Sequence, residues 1–341
     1  MKEFGSDFHY IEAVRNNPTL FDLYPKSNLY ANGRQAIQAL ISHEGWKRIW
    51  MPDYFCYEII NAIKKIDIQI CFYHDNPLSN DQKEIEKLSF EEGDVLFRVN
   101  YFGIRALRSI IGLSIPVIED HSHDLVGDWP IHSYADWCIA SLRKTLPVPE
   151  GGILWSPKNH QLPELPKQSN RNILLVKKRW EAMRLKKDYI ENKIFNKNGF
   201  RKLFLETESD FEKLSIAPIT EDCKTFLSNF DIKDWFQQKQ YNWHILSDIQ
   251  SDKIELLKRE TGTCNNFSFI MLFQTVAVRD EVRYKLIDNS IYPAILWKIP
   301  EDKPDAKDIS DKMLSIACDG RYTTKDIVVL KSQLENILKH V

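Results

Sequence analysis

The chain has 341 residues, 43% of them hydrophobic and 28% charged, with a formal net charge of −2. That length can bury a large core and predicts two domains, and the near-zero charge gives no basis for binding nucleic acid or an anionic membrane. No run approaches ~20 apolar residues, so no membrane-spanning helix is expected, and the segment from Met1 to Asp7 lacks the apolar core of a signal peptide, which predicts a cytoplasmic protein.

In chain order, residues 1–27 read as an N-terminal arm. Asn32-Gly33-Arg34-Gln35-Ala36-Ile37 opens a helix that runs to Ile41, with Asn32 or Gly33 as the cap and Ile37, Leu40 and Ile41 at helical spacing. A glycine turn opening a helix offers N–H groups and the positive end of the dipole to a phosphate, although the same pattern serves a plain capped helix. Strands are expected at Arg48–Met51, Ile68–Tyr73, Asp94–Gly103 (ending in a turn) and Pro116–Glu119, with helices at Tyr54–Lys64 and Leu107–Leu113. Strands alternating with helices predict βαβ units and a mostly parallel sheet. Trp137–Ala140 and Gly152–Trp155 are two further strands.

Beyond about residue 157 the character changes. A loop with three prolines spans Pro157–Pro166, and helices are expected at Asn172–Asn192 and Asp234–Ile249. A strand at Phe267–Val278, a helix at Arg279–Ser290, strands at Ile291–Trp297 and Lys312–Ala317 and a terminal amphipathic helix at Lys325–His340 predict a smaller α+β domain. The six cysteines lie far apart, with no C-x-x-C pair, and read as free thiols in a reducing compartment. Nine Trp, 13 Tyr and 18 Phe predict aromatic-rich packing and a subunit interface.

Two stretches carry chemistry. Ile115-Pro-Val-Ile-Glu-Asp-His-Ser-His-Asp124 is an apolar strand that ends in Glu119, Asp120, His121 and His123. Open α/β sheets bind ligands at the carboxyl ends of their strands. Ser141-Leu-Arg-Lys-Thr-Leu-Pro-Val-Pro-Glu-Gly-Gly152 places Lys144 between the next strand and a Pro/Gly-rich turn. An acid at one strand end and a lysine at the next suit pyridoxal phosphate, the acid keeping the pyridine nitrogen protonated and the lysine attaching covalently. Read blandly, Lys144 is a surface lysine and Asp120 a cap. A rival enzyme reading takes Asp120, His121 and His123 as metal ligands of a hydrolase, with the two imidazoles on one face of an extended segment.

The chain resembles the DegT/DnrJ/EryC1/StrS family, mostly pyridoxal-phosphate-dependent aminotransferases acting on keto-sugar nucleotides. Asn32-Gly33-Arg34-Gln35-Ala36-Ile37 sits where the family has Ser-Gly-Thr-x-Ala-Leu, and Met51-Pro-Asp-Tyr-Phe-Cys-Tyr57 through Asn61-Ala62-Ile63 resembles Val-Pro-Ser-Tyr-Thr-Phe followed by Asn-Ala-Ile. Val99-Asn-Tyr-Phe-Gly103 resembles Val-His-Leu-Tyr-Gly, and Ile118-Glu-Asp-His-Ser-His123 resembles Ile-Glu-Asp-Ala-Ala-Gln/His. Lys144 stands six residues before Glu150-Gly151-Gly152, the family's spacing. Arg279-Asp280, Ile291-Tyr292, Trp297 and Leu314 to Tyr322 resemble the small-domain pattern.

The resemblance implies the fold-type-I aminotransferase fold: an α/β large domain over residues 1–220 with a mostly parallel, seven-stranded-type sheet, and a small C-terminal α+β domain over 221–341. It implies that Lys144 binds the cofactor covalently and shuttles the proton, that Asp120 pairs with the pyridinium nitrogen, and that His123 lies against the ring or its O3′. Asn32, Gly33 and Arg34 would hold the phosphate, with the Arg34 guanidinium as a clamp and Ser141 adding a hydroxyl. Cys56 falls where the family stacks an aromatic on the cofactor, so Phe55 or Tyr57 could serve instead. The family's Ser five residues before the lysine is Ile139 here, and Arg34 replaces Thr. Retention of a lysine argues against the sugar-dehydratase relatives, which carry His. The implied reaction moves an amino group from an amino acid, glutamate first, to a nucleotide-linked keto sugar in polysaccharide or secondary-metabolite synthesis, in a homodimer. The altered phosphate and stacking positions motivate a different class, a non-catalytic fold-type-I protein that binds a sugar nucleotide.

Overall fold

The computed structural model describes residues 3–15, 18–79, 81–107, 113–258 and 266–341. In chain order the elements are β1 (Phe4–Gly5), α1 (Leu20–Leu23), β2 (Ser27–Tyr30), α2 (Gly33–Glu44), β3 (Arg48–Pro52), α3 (Tyr57–Ile63), β4 (Gln69–Tyr73), α4 (Asp81–Ile85), β5 (Asp94–Val99), β6 (Val117–Asp120), α5 (Asp128–Ile131), β7 (Trp137–Ser141) and β8 (Gly152–Trp155). They continue with α6 (Asn170–Ile190), α7 (Asn198–Phe211), α8 (Glu221–Ser228), α9 (Ile232–Ser247), β9 (Ile254–Leu257), β10 (Phe269–Phe273), α10 (Val276–Asp288), β11 (Ile291–Tyr292), α11 (Pro304–Asp311), β12 (Met313–Ile316) and α12 (Thr324–Lys339).

Seven strands form one mostly parallel sheet in the order β2-β8-β7-β6-β5-β3-β4. β3 pairs in parallel with β4 and β5, and β5 in parallel with β6. β8 is antiparallel to β2 and to β7. Every residue of β5 is buried, the pattern of a strand covered on both faces.

The chain forms two compact units, one of residues 1–6, 46–133 and 234–341, the other of 7–45 and 134–233. The first holds β3 to β6 and an antiparallel sheet of order β12-β10-β9. That small sheet buries Phe269, Met271, Leu314 and Ile316 against Leu330 and Leu334 of α12 and Val282 and Leu286 of α10. A capping box starts α12, with Thr323 accepting from the Asp326 N–H while the Asp326 carboxylate accepts from the Thr323 N–H. The second unit holds β2, β7, β8 and the α6–α7 pair. There the Asn32 side chain caps α2 by accepting from the Gln35 N–H at 3.0 Å, and Gly45, at φ 68°, ends the helix in a left-handed turn.

Several expectations need correction. The strand expected at Phe267–Val278 stops at Phe273, because Thr275 turns to cap α10 and accepts from the Val278 N–H. The strand expected at Ile291–Trp297 is only Ile291–Tyr292, paired in parallel with Phe4–Gly5, so the N-terminal arm supplies a strand of its own. α7 and α8 were not anticipated from the sequence. α7 buries Phe200, Phe204, Thr207 and Phe211, a helical stripe diluted by the charged residues between them. Of the helix expected at Leu107–Leu113, residues 108–112 lie outside the described residues.

Candidate active site

In the unit that contains residues 46–133, β6 delivers Glu119 and Asp120 buried. One Asp120 oxygen, Oδ1, accepts from the Ser122 N–H at 2.8 Å, which turns the chain immediately after the strand. The Asp124 N–H then donates to the His121 carbonyl at 3.0 Å. His121 and His123 therefore lie in a turn, not on one face of an extended segment as the metal reading required. Their Nδ1 atoms meet separate protein groups, His121 the Asn100 amide at 3.3 Å and His123 the Phe102 N–H at 3.2 Å.

His123 is held among aromatic rings. Its centroid lies 4.4 Å from that of Phe267, 5.2 Å from Phe102 and 5.4 Å from Trp297. Phe102 has φ 54°, the left-handed region that bulky residues avoid. Its N–H is spent on His123 and its carbonyl accepts from the Phe267 N–H at 2.9 Å, two bonds that hold it there. Strain of this kind costs about 1–3 kcal/mol and collects at functional sites.

Glu119 is the anchor beneath this strand end. It accepts from Arg98 Nη1 at 2.8 Å, Trp129 Nε1 at 2.8 Å and the Ser133 hydroxyl at 2.6 Å, and lies 3.2 Å from His121 Nε2. Burial alone would raise its pKa, but the His121 hydrogen bond and the Arg98 charge outweigh it and hold the carboxyl below its usual range. Arg98, equally buried, also donates to Asp81 at 2.8 Å.

Cys56, half-buried, precedes α3, and its carbonyl accepts from the Ile59 N–H at 2.9 Å. The substitutes considered for it are engaged elsewhere. Phe55 is fully buried against Phe97 and Trp297, and Tyr57 stacks on Phe72 at 6.2 Å.

In the other unit, Lys144 ends a short 3-10 turn, Leu142–Lys144, directly after β7. The Leu142 N–H donates to the Gly151 carbonyl at 3.0 Å, so the lysine turn is tied to the Glu150-Gly-Gly152 turn. Gly151, at φ 137°, leaves no room for a side chain, since a Cβ there would come within 2.9 Å of Leu142. A Cβ on Gly152 would stand 2.3 Å from the Asn32 carbonyl oxygen and 2.6 Å from the Gly33 nitrogen. A Cβ on Gly33 would stand 3.3 Å from the Ser141 Cβ. Asn32, Gly33, Ser141 and Gly152 are thus brought together at the start of α2, with Lys144 three residues along from Ser141. Ile139 is buried in β7, so the departure from the family's serine stands as an apolar core residue.

The Arg34 side chain reaches Glu212 at 3.8 Å. Glu150 is fully buried: its Oε1 accepts from the Thr220 N–H at 2.7 Å and from the Thr220 hydroxyl, and its Oε2 from Asn172 at 3.1 Å. Burial raises its pKa against these bonds. It pins the glycine turn to α6 and to the start of α8, a positioning role that spacing alone did not reveal.

Gly152→Ala is expected to cost about 1–3 kcal/mol, because the backbone it would press on cannot move as a side chain can. Gly199→Ala, with nothing within 4 Å of its Cβ, should leave the urea midpoint unchanged or raise it. Equal midpoints for the two variants would remove the close-approach argument.

No family model and no curated protein matches the sequence. Solved structures do match over nearly the whole chain. Spr1654 of Streptococcus pneumoniae, described as a sugar aminotransferase, aligns in its PMP form at TM-score 0.66 and 10% identity, over 99% of this chain and 98% of its own. The aminotransferase TlmJ of Streptoalloteichus hindustanus aligns at TM-score 0.66 and 10% identity, over 99% of both chains. A DegT DnrJ EryC1 StrS aminotransferase of Brucella abortus aligns at TM-score 0.59 and 12% identity, over 95% of this chain and 91% of its own. The chain has the fold of these aminotransferases, the fold-type-I α/β architecture that its motifs implied.

Proposed function

We propose that the chain is a pyridoxal-phosphate-dependent aminotransferase, a divergent member of the DegT/DnrJ/EryC1/StrS family. The observation that carries this is the packing of the end of β7 and the start of β8, which flank the lysine-bearing turn, against the start of α2, where Ser141 lies against Gly33 and Gly152 against the Asn32 and Gly33 backbone. A glycine-lined helix start fits a phosphate, and a lysine nearby fits a carbonyl-bearing cofactor. Bound there, the cofactor would supply an electron sink and carry the amino group between two substrates.

On this reading Lys144 Nζ attaches to the cofactor and moves the proton between substrate and cofactor carbons. The Asp120 carboxylate holds a proton on the pyridine nitrogen. His123, fixed by Phe102, lies against the ring, and Cys56 takes the position of the family's stacking aromatic. Asn32, Gly33, Arg34 and Ser141 hold the phosphate. Residues 1–220 serve as the cofactor-binding domain and 221–341 as the small domain. The donor is an amino acid, glutamate first, and the acceptor a nucleotide-linked keto sugar for polysaccharide or secondary-metabolite synthesis. The enzyme works as a cytoplasmic homodimer. Among the described residues no helix is long and apolar enough to cross a membrane.

The test is a single half-reaction. Glutamate added to protein loaded with pyridoxal phosphate should bleach the visible band and release one equivalent of 2-oxoglutarate. If neither glutamate nor a panel of other amino acids changes the band, the protein binds the cofactor without transaminating, and the reading fails.

A further inference from the structure

The unit of residues 7–45 and 134–233 holds a cavity of about 410 Å³, within the size range of small-molecule sites. Leu29 of β2, Val176 of α6 and Ile219, just before α8, are its buried floor, and Phe21 and Ile173 extend the apolar wall. The wall is fixed by hydrogen bonds. The Ile219 N–H donates to the Leu29 carbonyl at 3.0 Å, and Gln168 Nε2 donates to the Pro218 and Ile219 carbonyls at 3.1 and 3.2 Å.

The mouth carries charge of both signs. The charged side chains that line the cavity are Lys177, Glu221, Asp222 and Lys224, and all four are exposed. Lys177 comes from α6 and the other three from the first turn of α8. Lys224 Nζ lies 3.9 Å from Glu221 Oε1, too far for a hydrogen bond, so neither group is saturated by the other. A simple anion at this mouth would meet Glu221 and Asp222, and a simple cation would meet the two lysines, so either pays for a like-charge contact. A cation and an anion held a few ångströms apart above an apolar floor match a zwitterion that carries both charges on one carbon and an apolar group beneath.

We propose that this cavity binds an α-amino acid with an apolar side chain. The side chain lies on the Leu29, Val176 and Ile219 floor, the carboxylate meets Lys177 and Lys224, and the ammonium meets Glu221 and Asp222. The site backs onto the anchor of the glycine turn. Thr220, which lines the cavity, donates its N–H to Glu150 at 2.7 Å, and Asn172, next to Ile173, donates to the other Glu150 oxygen at 3.1 Å. The assignment stands on the cavity and the charges at its mouth and does not depend on the aminotransferase reading.

The test is calorimetric titration of the full-length protein with L-phenylalanine, with 3-phenylpropionate, which lacks the amino group, and with 2-phenylethylamine, which lacks the carboxylate, each with and without saturating pyridoxal phosphate. L-Phenylalanine is expected to bind in both conditions, and each analogue about fivefold more weakly, the scale of one exposed ion pair. Lys177→Ala and Asp222→Asn, both at exposed positions, should each weaken L-phenylalanine binding by about two- to fivefold. Val176→Phe, which fills the floor, should abolish it. Circular dichroism confirms that the variants are folded, and if Val176→Phe does not fold, the two charge variants decide. Equal binding of the three compounds overturns the proposal, because the mouth then reads no charge. No binding of L-phenylalanine overturns it as well. So does binding that appears only with pyridoxal phosphate, which is donor binding at the cofactor, and binding undiminished in the folded variants, which lies elsewhere on the protein.

Discussion

Lys144→Ala is expected to lose the visible absorbance that the wild-type chain acquires, near ~410–430 nm, when mixed with pyridoxal phosphate. The only atoms removed that can bond covalently to a carbonyl are those of the lysine amine. Turnover should fall by at least about a thousandfold, the scale seen when a covalent catalytic group is removed and binding is left intact. Lys144 is half-buried in a turn whose backbone is held by Leu142 and Gly151, so circular dichroism and the unfolding midpoint should change little. Lys158→Ala is the control, an exposed lysine paired with Asp136 at 2.8 Å, and it should keep the band. A band that survives in Lys144→Ala would move the covalent site to another lysine and break the proposed assignment.

Arg98→Met is expected to destabilise the protein by about 3–5 kcal/mol, because removing one partner leaves buried charge uncompensated. Arg98 joins Asp81 and Glu119 at 2.8 Å each, with all three side chains at most 3% exposed. It also lies 4.9 Å over the Trp129 ring, a contact that methionine would only partly replace. The loss would be felt at Asp120, since Glu119 fixes the end of the same strand. Adding Glu119→Gln to Arg98→Met should recover part of the stability, because it removes one of the two orphaned carboxylates. Lys331→Met breaks a pair with Asp248 at 3.5 Å that is largely solvated and should cost under about 1 kcal/mol. Equal urea midpoints for Arg98→Met and Lys331→Met would show that the buried network does not hold this strand end.

Most elements were legible from period and punctuation. β3, β4, β5 and β6 follow apolar runs closed by turns, and α2 follows its Asn32 cap and its Ile37, Leu40, Ile41 stripe. Where an apolar run continued past a cap, the reading overshot. Phe267 to Val278 looks like one strand because Thr275 is the only marker of the change, and a single threonine is ambiguous until its oxygen meets the Val278 N–H. α7 was missed for the opposite reason: its buried residues are spread among Lys, Glu and Asp, and their value depends on packing against α6. Among the candidate site residues, the acid at the end of β6 and the lysine after β7 stood out by chemistry. The contacts of Glu150, Phe102 and Arg143 did not, because each depends on a partner far away in sequence.

The sequence by itself determined the alternation of strands and helices, the resemblance to a cofactor-dependent family, and the residue types offered for a phosphate, a pyridine nitrogen and a covalent link. The alternation is a local matter, set by side-chain period and turn chemistry within a few residues, and the candidate residues are what the resemblance to the family's motifs implies. Only the tertiary structure decided that Glu119 is saturated by Arg98, Trp129, Ser133 and His121, that the His123 ring is boxed by Phe102, Phe267 and Trp297, and that Gly152 lies against Asn32 and Gly33. Burial, charge compensation and close backbone approach are properties of residues that meet across long stretches of chain, and no pattern of neighbours in sequence encodes which of them meet.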